Sequence, residues 1–339
     1  MAQHFLLSRD SRDISLRAIF ALSAQEVRDR FAELRWGSKT EQTCPHCGSI
    51  RSHRYVRAQK RWRCRECYAA FSVTSGTVFN GHKLPLQVIL AGIVLYVNAV
   101  KGISALQMSR DLDVQYKTAF VLLHKLRETL WLTRETDLMG GEVEIDGGYV
   151  HTYVRPENKK KDRKNRVLSE NQNPQKCVML VIRERGSKPK EGAKRTRTFI
   201  LQSENQSDIM AIVRANVHPG AIIFTDEASG YSTLSAGWDH HVVNHSQEYR
   251  ADDGANENQA ESYISRFRRM MMGQIHRLKR IYLDVYANEV ACREDRRRTS
   301  NGSFVTDIVI KCLATGQSRD WTGYWQGNHR TVDSVIKPT

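Results

Sequence analysis

Four of the seven cysteines of this chain fall into two pairs, "CPHC" at 44–47 and "CREC" at 64–67, with 16 residues between them. Each C-x-x-C turn aims two thiolates at one point, and the intervening "GSIRSHRYVRAQKRWR" is long enough to fold back as a hairpin. Cys44, Cys47, Cys64 and Cys67 are therefore expected to hold one tetrahedral zinc in a ribbon, a closed structural site. Disulfides are disfavoured in a reducing cytosol, and a redox pair needs one such turn, not two. With four thiolates in hand, His46 and His53 are expected at the surface, and Cys177, Cys292 and Cys312 as lone core or surface thiols.

The ribbon is basic, with Arg61, Arg63 and Arg65 near its second knuckle interleaved with Tyr55 and Trp62, a combination suited to phosphate contacts with some stacking. A ribbon can equally be a protein-docking knob. The whole chain has 52 Lys plus Arg against 37 Asp plus Glu, a formal net charge of +15, and the stretch from 155 to 197 holds 15 basic and 5 acidic residues. So local an excess favours a surface that neutralises phosphates; the plain alternative is a solvated loop. Lys159, Lys160, Lys161, Arg163 and Lys164 are its densest part.

The start, "MAQHFLLSRDSRD", lacks the charged and apolar regions of a secretory signal, and the most apolar run, "VILAGIVLYVNAV" at 88–100, is too short to span a bilayer. A cytoplasmic protein with no membrane association is expected, with that run as a buried helix. Residues 14–35 suggest one or two helices, with Ser23 a candidate N-cap. "GISALQMSRDLDVQYKTAFVLLHKLRETL" at 102–130 gives two helical patterns broken near Asp113 and Val114, with Ile103, Leu106 and Leu112 on the first apolar face. This has the form of a helix-turn-helix that would bring Tyr116 and Lys117 to base edges, or of an ordinary helical hairpin; the basic ribbon nearby favours DNA.

From about 140 the pattern becomes short apolar runs: "GEVEIDGGYV", "QKCVMLVIRER", "TRTFILQ", then a helical "ENQSDIMAIVRANVHPG", then "AIIFTDE" and "HHVVNHS". Three strands, a helix and further strands predict an α/β fold, a mixed sheet with flanking helices. Two-residue alternation sets Val143 and Ile145 on one face of the first strand and Glu144 and Asp146 on the other. Asp226 arrives at the carboxyl end of a fully apolar strand, where α/β sheets bind ligands. In the helical "NENQAESYISRFRRMMMG", Asn258, Glu261, Ser265 and Arg268 share a polar face opposite Ala260, Tyr263, Ile264, Phe267 and Met271. Asp146, Asp226 and Glu261 together are hard oxygen donors suited to two magnesium ions and phosphodiester chemistry.

At "CPHCGS", "WRCRECYAAFSVTSGTVF", "EIDGGYV", "TDEASGY", "HHVVNHSQEY", "NENQAESYISRFRR" and "YANEVACREDRRR" the sequence resembles, in order and over most of its length, the DDE transposases of bacterial insertion sequences that carry an N-terminal zinc ribbon. The resemblance implies a ribonuclease-H-like catalytic domain in which Asp146 and Asp226 are the first two catalytic residues. The third is Asn258 or Glu261, the carboxylate being favoured by its affinity for magnesium. It implies that Arg268 holds a DNA phosphate, that His245 and His241 lie near the site, and that Mg2+, with Mn2+ able to substitute, is the cofactor. The partners implied are double-stranded DNA, as terminal inverted repeats and as target, and a second copy of the chain or more, acting at the bacterial nucleoid. The family commonly has Glu after its first Asp, where this chain has Gly147, which leaves an auxiliary carboxylate unaccounted for.

The expected organisation is a helical segment 1–40, a zinc ribbon 41–76, a helix-turn-helix-like segment 77–136, the catalytic domain 137–298 with a basic insertion 155–197, and a tail 299–339. A DNA-binding regulator with a dead α/β domain, or a structure-specific nuclease, would share much of this pattern.

Overall fold

The computed structural model describes residues 5–51, 53–151, 157–165, 168, 176–187, 192–243, 258–331 and 333–336. The chain forms two compact units, Met1–Arg134 with Arg296–Arg330, and Glu135–Asp295 with Thr331–Thr339.

The first unit begins with α1 (Leu16–Ala21) and α2 (Ala24–Trp36). Ser23 caps α2: its hydroxyl accepts from Glu26 N at 3.2 Å while the Glu26 carboxylate accepts from Ser23 N at 2.7 Å, a reciprocal arrangement that satisfies two otherwise orphaned donors. The ribbon follows as the antiparallel pair β1 (Gln42–Thr43) and β2 (Ile50–Arg51) and the antiparallel sheet β3 (Arg54–Val56), β4 (Arg61–Arg63), β5 (Ala70–Phe71). Trp62 pairs with Tyr55 and Phe71 and meets the Trp36 ring edge-on at 5.4 Å. It is 5% exposed, so it holds the ribbon to α2 and offers no face to a base. Arg61 and Arg63, on the opposite pleat, point to solvent. His53 is likewise buried, contrary to the surface position its sequence context suggests.

The apolar run becomes α3 (Leu86–Asn98), buried through Ile89–Val94. Next come α4 (Ala105–Asp111) and α5 (Tyr116–Leu132), separated where the sequence breaks, with Asp113 at φ 50°. The apolar face of α4 differs from the expected one: Met108 is buried and Leu106 is 50% exposed; Ser104 caps the helix, so Ile103 lies outside it and its spacing to Leu106 is not helical.

In the second unit, five strands run in the spatial order β10, β9, β6, β7, β8. They are β6 (Glu142–His151), β7 (Lys176–Arg185), β8 (Ala193–Leu201), β9 (Ile222–Thr225) and β10 (Asp239–Val242). The first three are antiparallel, and β9 and β10 run parallel to β6, so the sheet is mixed. β7 is buried at every position from Cys177 to Glu184, as befits a central strand covered on both faces. The stretch 155–197 is thus not one solvated insertion: it contains β7 and much of β8, and Arg183, Arg185, Arg195 and Arg197 within it are spent on internal partners.

One face of the sheet packs Val143, Ile145, Val178, Leu180 and Ile182 against Ile209, Ile212 and Val213 of α6 (Gln206–Asn216). The other carries α7 (Asn258–Met270) and α8 (Leu283–Asp295). Ala260, Tyr263, Ile264 and Phe267 are buried as their spacing predicts, but Met270 takes the place expected of Met271, because the helix widens into a π turn over Met271–Ile275. The sequence-defined tail divides: α9 (Asn301–Ala314) packs with α2 and α3 in the first unit, while Ile336 bridges to Leu201 at the edge of the second unit's sheet.

α7 crosses β6 at Gly148, where an added Cβ would lie 2.8 Å from Ile264 Cγ2. Gly148→Ala is therefore expected to cost about 1–3 kcal/mol as an overpacking defect, read as a lower urea midpoint. A variant as stable as the parent would show that the helix does not rest on this glycine.

Candidate active site and zinc centre

The parallel register of β6 and β9 pairs Glu142 with Ile222, Val143 with Ile223 and Glu144 with Phe224. Continued by two residues on each strand, it sets Asp146 beside Asp226 on one face of the sheet, on neighbouring strands spaced about 4.8 Å apart. Asp226 is fixed at the strand end by accepting from Ala228 N at 3.0 Å. Its neighbour Glu227 is exposed. The strand thus ends on one inward and one outward carboxylate.

Glu261 comes from α7, and a buried carboxylate sets that helix in place. Glu144 is fully buried, two residues before Asp146 on the same face. Its Oε2 accepts from Gln259 N at 2.9 Å and Ala260 N at 3.1 Å, and its Oε1 accepts from Arg185 Nε at 2.7 Å. Glu144 therefore caps the first turn of α7 from across the sheet, where the helix dipole favours negative charge. Arg183 adds a second tie, donating to Gln259 O at 2.6 Å. The helix that carries Glu261, which is exposed, is in this way referenced to the strand that carries Asp146.

The carboxylates feel one another. Burial first, then the charge of Asp226 and, after an opposing hydrogen bond from Gly147, those of Glu204 and Glu261 push the Asp146 carboxyl up to about 6. Glu204, which no motif marks in the sequence, lies between β8 and α6, and accepts from the Tyr231 hydroxyl at 2.5 Å. Burial and then the Asp226 charge raise its pKa, against that hydrogen bond. The only sequence signal for Glu204 is indirect, a glycine at 147 where a side chain is usual.

Of the other expected residues, Arg268 is exposed on α7 and donates to Tyr149 O at 3.3 Å. Asn258 opens the helix, with its side chain outside the described residues, as is the whole of His245. His241 lies on β10, stacked on Phe224 at 5.4 Å and 3.3 Å from Asp239. Lys159, Lys160, Lys161, Arg163 and Lys164 are all exposed around a short turn. Tyr116 and Lys117, in the first unit, open α5: Tyr116 stacks on Phe120 and Lys117 sits 5.2 Å over the Trp325 ring.

In the ribbon the four cysteine sulfurs lie within 4.8 Å of one another, the one such set of three or more potential ligands among the described residues. The Cys44–Cys67 and Cys47–Cys64 sulfurs are 3.7 and 3.6 Å apart, close to the roughly 3.8 Å edge of a tetrahedron with Zn–S bonds of about 2.3 Å. His53 explains its own burial: Arg65 N donates to its Nδ1 at 3.3 Å, and its Nε2 is 3.3 Å from Ser49 O. It thereby pins the two knuckles together from behind. The carboxylates of the α/β unit stand wider apart, as like charges do.

An acid whose pKa is raised on folding binds its proton more tightly in the folded chain, so stability falls as pH rises from the unfolded value near 4 through 6. In buffer without added divalent cations or chelator, Asp146→Asn is expected to raise Tm at pH 7.5 by roughly 2–4 °C, with the gain shrinking toward zero as pH falls to 4. A gain independent of pH would contradict this crowding of charge.

Residues 138–295 match the ISXO2-like transposase domain and residues 22–70 the transposase zinc-ribbon domain. The chain is 24% identical over 264 residues to an uncharacterized protein in transposable element ISH50 of Halobacterium salinarum, covering 74% of this chain and 84% of that one. Chains from the Mos1 strand transfer complex and a pre-cleavage Mos1 transpososome are 11% identical, with TM-scores of 0.21 and 0.18. Each alignment covers 66% of this chain, and 77% and 78% of the respective Mos1 chains; likeness this loose carries no argument. With both domains in order across more than half of its length, the chain belongs to the zinc-ribbon-bearing ISXO2-like transposases of insertion sequences.

Proposed function

We propose that this transposase binds the terminal inverted repeats of its element and catalyses metal-dependent hydrolysis of the element's ends and transfer of their 3′-hydroxyls to target DNA. The observation that carries the reading is the convergence of Asp146, Asp226 and Glu261 from two neighbouring parallel strands and a helix clamped to one of them. The strand order supports the ribonuclease-H-like expectation.

The donor set fits magnesium: its oxygens are hard, and like charges already press on Asp146, a strain that a divalent cation relieves. Magnesium, or manganese in its place, supplies Lewis acidity there, activating the attacking hydroxyl and stabilising the leaving oxygen. Asp146, Asp226 and Glu261 hold it, with Glu261 favoured over Asn258 because a carboxylate binds the ion more strongly than an amide. Arg268 presents an exposed guanidinium on the same helix, a planar fork for a phosphate of the strand being cut. Lys159, Lys160, Lys161, Arg163 and Lys164 add sequence-independent attraction.

Recognition falls to the first unit. Arg54 faces Arg63 directly across β3 and β4, a like-charge pair that is unfavourable by itself and is relieved by a phosphate. Arg61 and Arg65 extend the same basic surface, and structural zinc holds its two knuckles. Tyr116 and Lys117 open the second helix of the helix-turn-helix. Two element ends must be brought together, which calls for a dimer or larger assembly on DNA at the bacterial nucleoid. Among the described residues no helix is long and apolar enough to cross a membrane.

Metal analysis is expected to find about one zinc per chain, and Cys64→Ser to lose it together with binding to the repeats; retained binding would take the ribbon out of recognition. For the chemistry, DNA carrying the repeats is incubated with Mg2+ and intact protein or Asp226→Ala. Joined products from the intact protein alone support the transposase; cleavage without joining supports a nuclease. Binding without cutting by either protein supports a regulator.

A further inference from the structure

The two sequence motifs that carry Asp146 and Asp226 each contain a glycine the metal site does not explain, and both glycines make room for the same side chain. At Gly147 an added Cβ would lie 2.2 Å from Glu204 Oε1 and 3.0 Å from the Tyr231 hydroxyl. At Gly230 it would lie 3.0 Å from Ile209 Cδ1, 3.3 Å from Glu204 Cγ and 3.7 Å from Glu204 O. Tyr231, beside Gly230 and 1% exposed, donates its hydroxyl to Glu204 Oε1 at 2.5 Å. A methyl group at either glycine would push against Glu204, and against its anchor at Gly147. The backbone of both aspartate motifs is thus shaped around a carboxylate that arrives from a third element, the link between β8 and α6 where Asn205 caps the helix.

Resting on the function proposed above, we infer that Glu204 is a fourth carboxylate of the metal site, held by Tyr231 in the space that Gly147 leaves open. Tyr231 engages one carboxylate oxygen as a neutral donor, so the negative charge is kept while the side chain is fixed; the other oxygen remains for a divalent cation. This accounts for the absence of a carboxylate at position 147 itself. The acid that would follow Asp146 in the chain has been moved to a different element, and a Glu at 147 would collide with it.

The test measures Mn2+ binding to the full chain without DNA, by electron paramagnetic resonance of the free ion, for the parent, Asp226→Ala, Glu204→Gln and Tyr231→Phe. The expected result is that Asp226→Ala abolishes the tightest binding and Glu204→Gln weakens it about tenfold or more. Tyr231→Phe weakens it by less, because it removes the group that orients a ligand and not the ligand itself. Melting without added divalent cations or chelator separates folding from binding: Glu204→Gln removes a repelled charge, so its Tm should match or exceed the parent's. Parent-like Mn2+ binding in Glu204→Gln, with binding abolished in Asp226→Ala, overturns the role of Glu204 and leaves the transposase reading standing. Parent-like binding in both variants overturns the metal site itself. Should Glu204→Gln melt below the parent, Tyr231→Phe decides: weaker Mn2+ binding there supports the role of Glu204, whereas a lower Tm with parent-like Mn2+ binding makes the Tyr231–Glu204 pair purely structural and overturns it.

Discussion

A carboxylate with no exposure to water holds the catalytic half of this protein in register. Burying the Glu144 charge without compensation would cost several kcal/mol, and it is tolerated because both oxygens are met, one by Arg185 and the other by the first two free amides of α7. Arg185 is in turn shared with Glu142 and lies over the Phe224 ring at 4.2 Å. A residue of β6, a residue of β7, the end of β9 and the start of α7 thus meet at one ion pair, and three of those four elements lead directly to site residues. Without this pair α7 would still bury its apolar stripe and keep the Arg183 bond to Gln259 O, but it would lose the anchor on its amides that helps fix its translation along the sheet, and the distance from Glu261 to Asp146 depends on that translation.

The same economy governs the basic residues. A count of charge along 155–197 treats every Arg as available for DNA, yet the fold withdraws four of them. Arg183 and Arg185 clamp α7, Arg195 pairs with Glu184, and Arg197 bonds Asn216. Among the described residues, the cations that remain in water are those of the Lys159–Lys164 turn and Lys194, which stays exposed beside Glu184. Net charge therefore overstates the phosphate-binding surface of this segment, since part of the excess offsets carboxylates that the α/β unit has to bury.

What was legible in the sequence is what periodicity and local chemistry encode. The strand runs, the break at Asp113, the Ser23 cap, the buried stripe of α7, Asp146 on the polar face of its strand and Asp226 at the end of another all follow from spacing between near neighbours. The misplacements concern side chains whose surroundings come from far along the chain. Trp62 sits among arginines in sequence but packs on Trp36 in space; His53 sits in a polar, basic hairpin in sequence but bridges two knuckles. Leu106 and Met271 fail for a subtler reason: a stripe read at fixed helical spacing runs past a helix end, from Ile103 outside the Ser104 cap in the one case and into the π turn that follows Met270 in the other. Glu204 and Glu144 carry no local mark because their partners, Tyr231 and the amides at 259 and 260, lie 27 and more than 100 residues away.

Glycine, usually read as a sign of a turn, marks close approach in this site. Neither Gly147 nor Gly148 has the left-handed backbone that would require it. Each is small because something stands over it, Glu204 above the one and Ile264 above the other. Consecutive residues of a strand face opposite sides of a flat sheet, and here consecutive glycines admit on one side the Glu204 carboxylate and on the other the helix that carries Glu261. Asp146, immediately before them, is the point at which both approaches must agree. A strand with ordinary side chains at 147 and 148 would hold α7 and the β8 to α6 link further out, and the carboxylates they carry would no longer converge on Asp146.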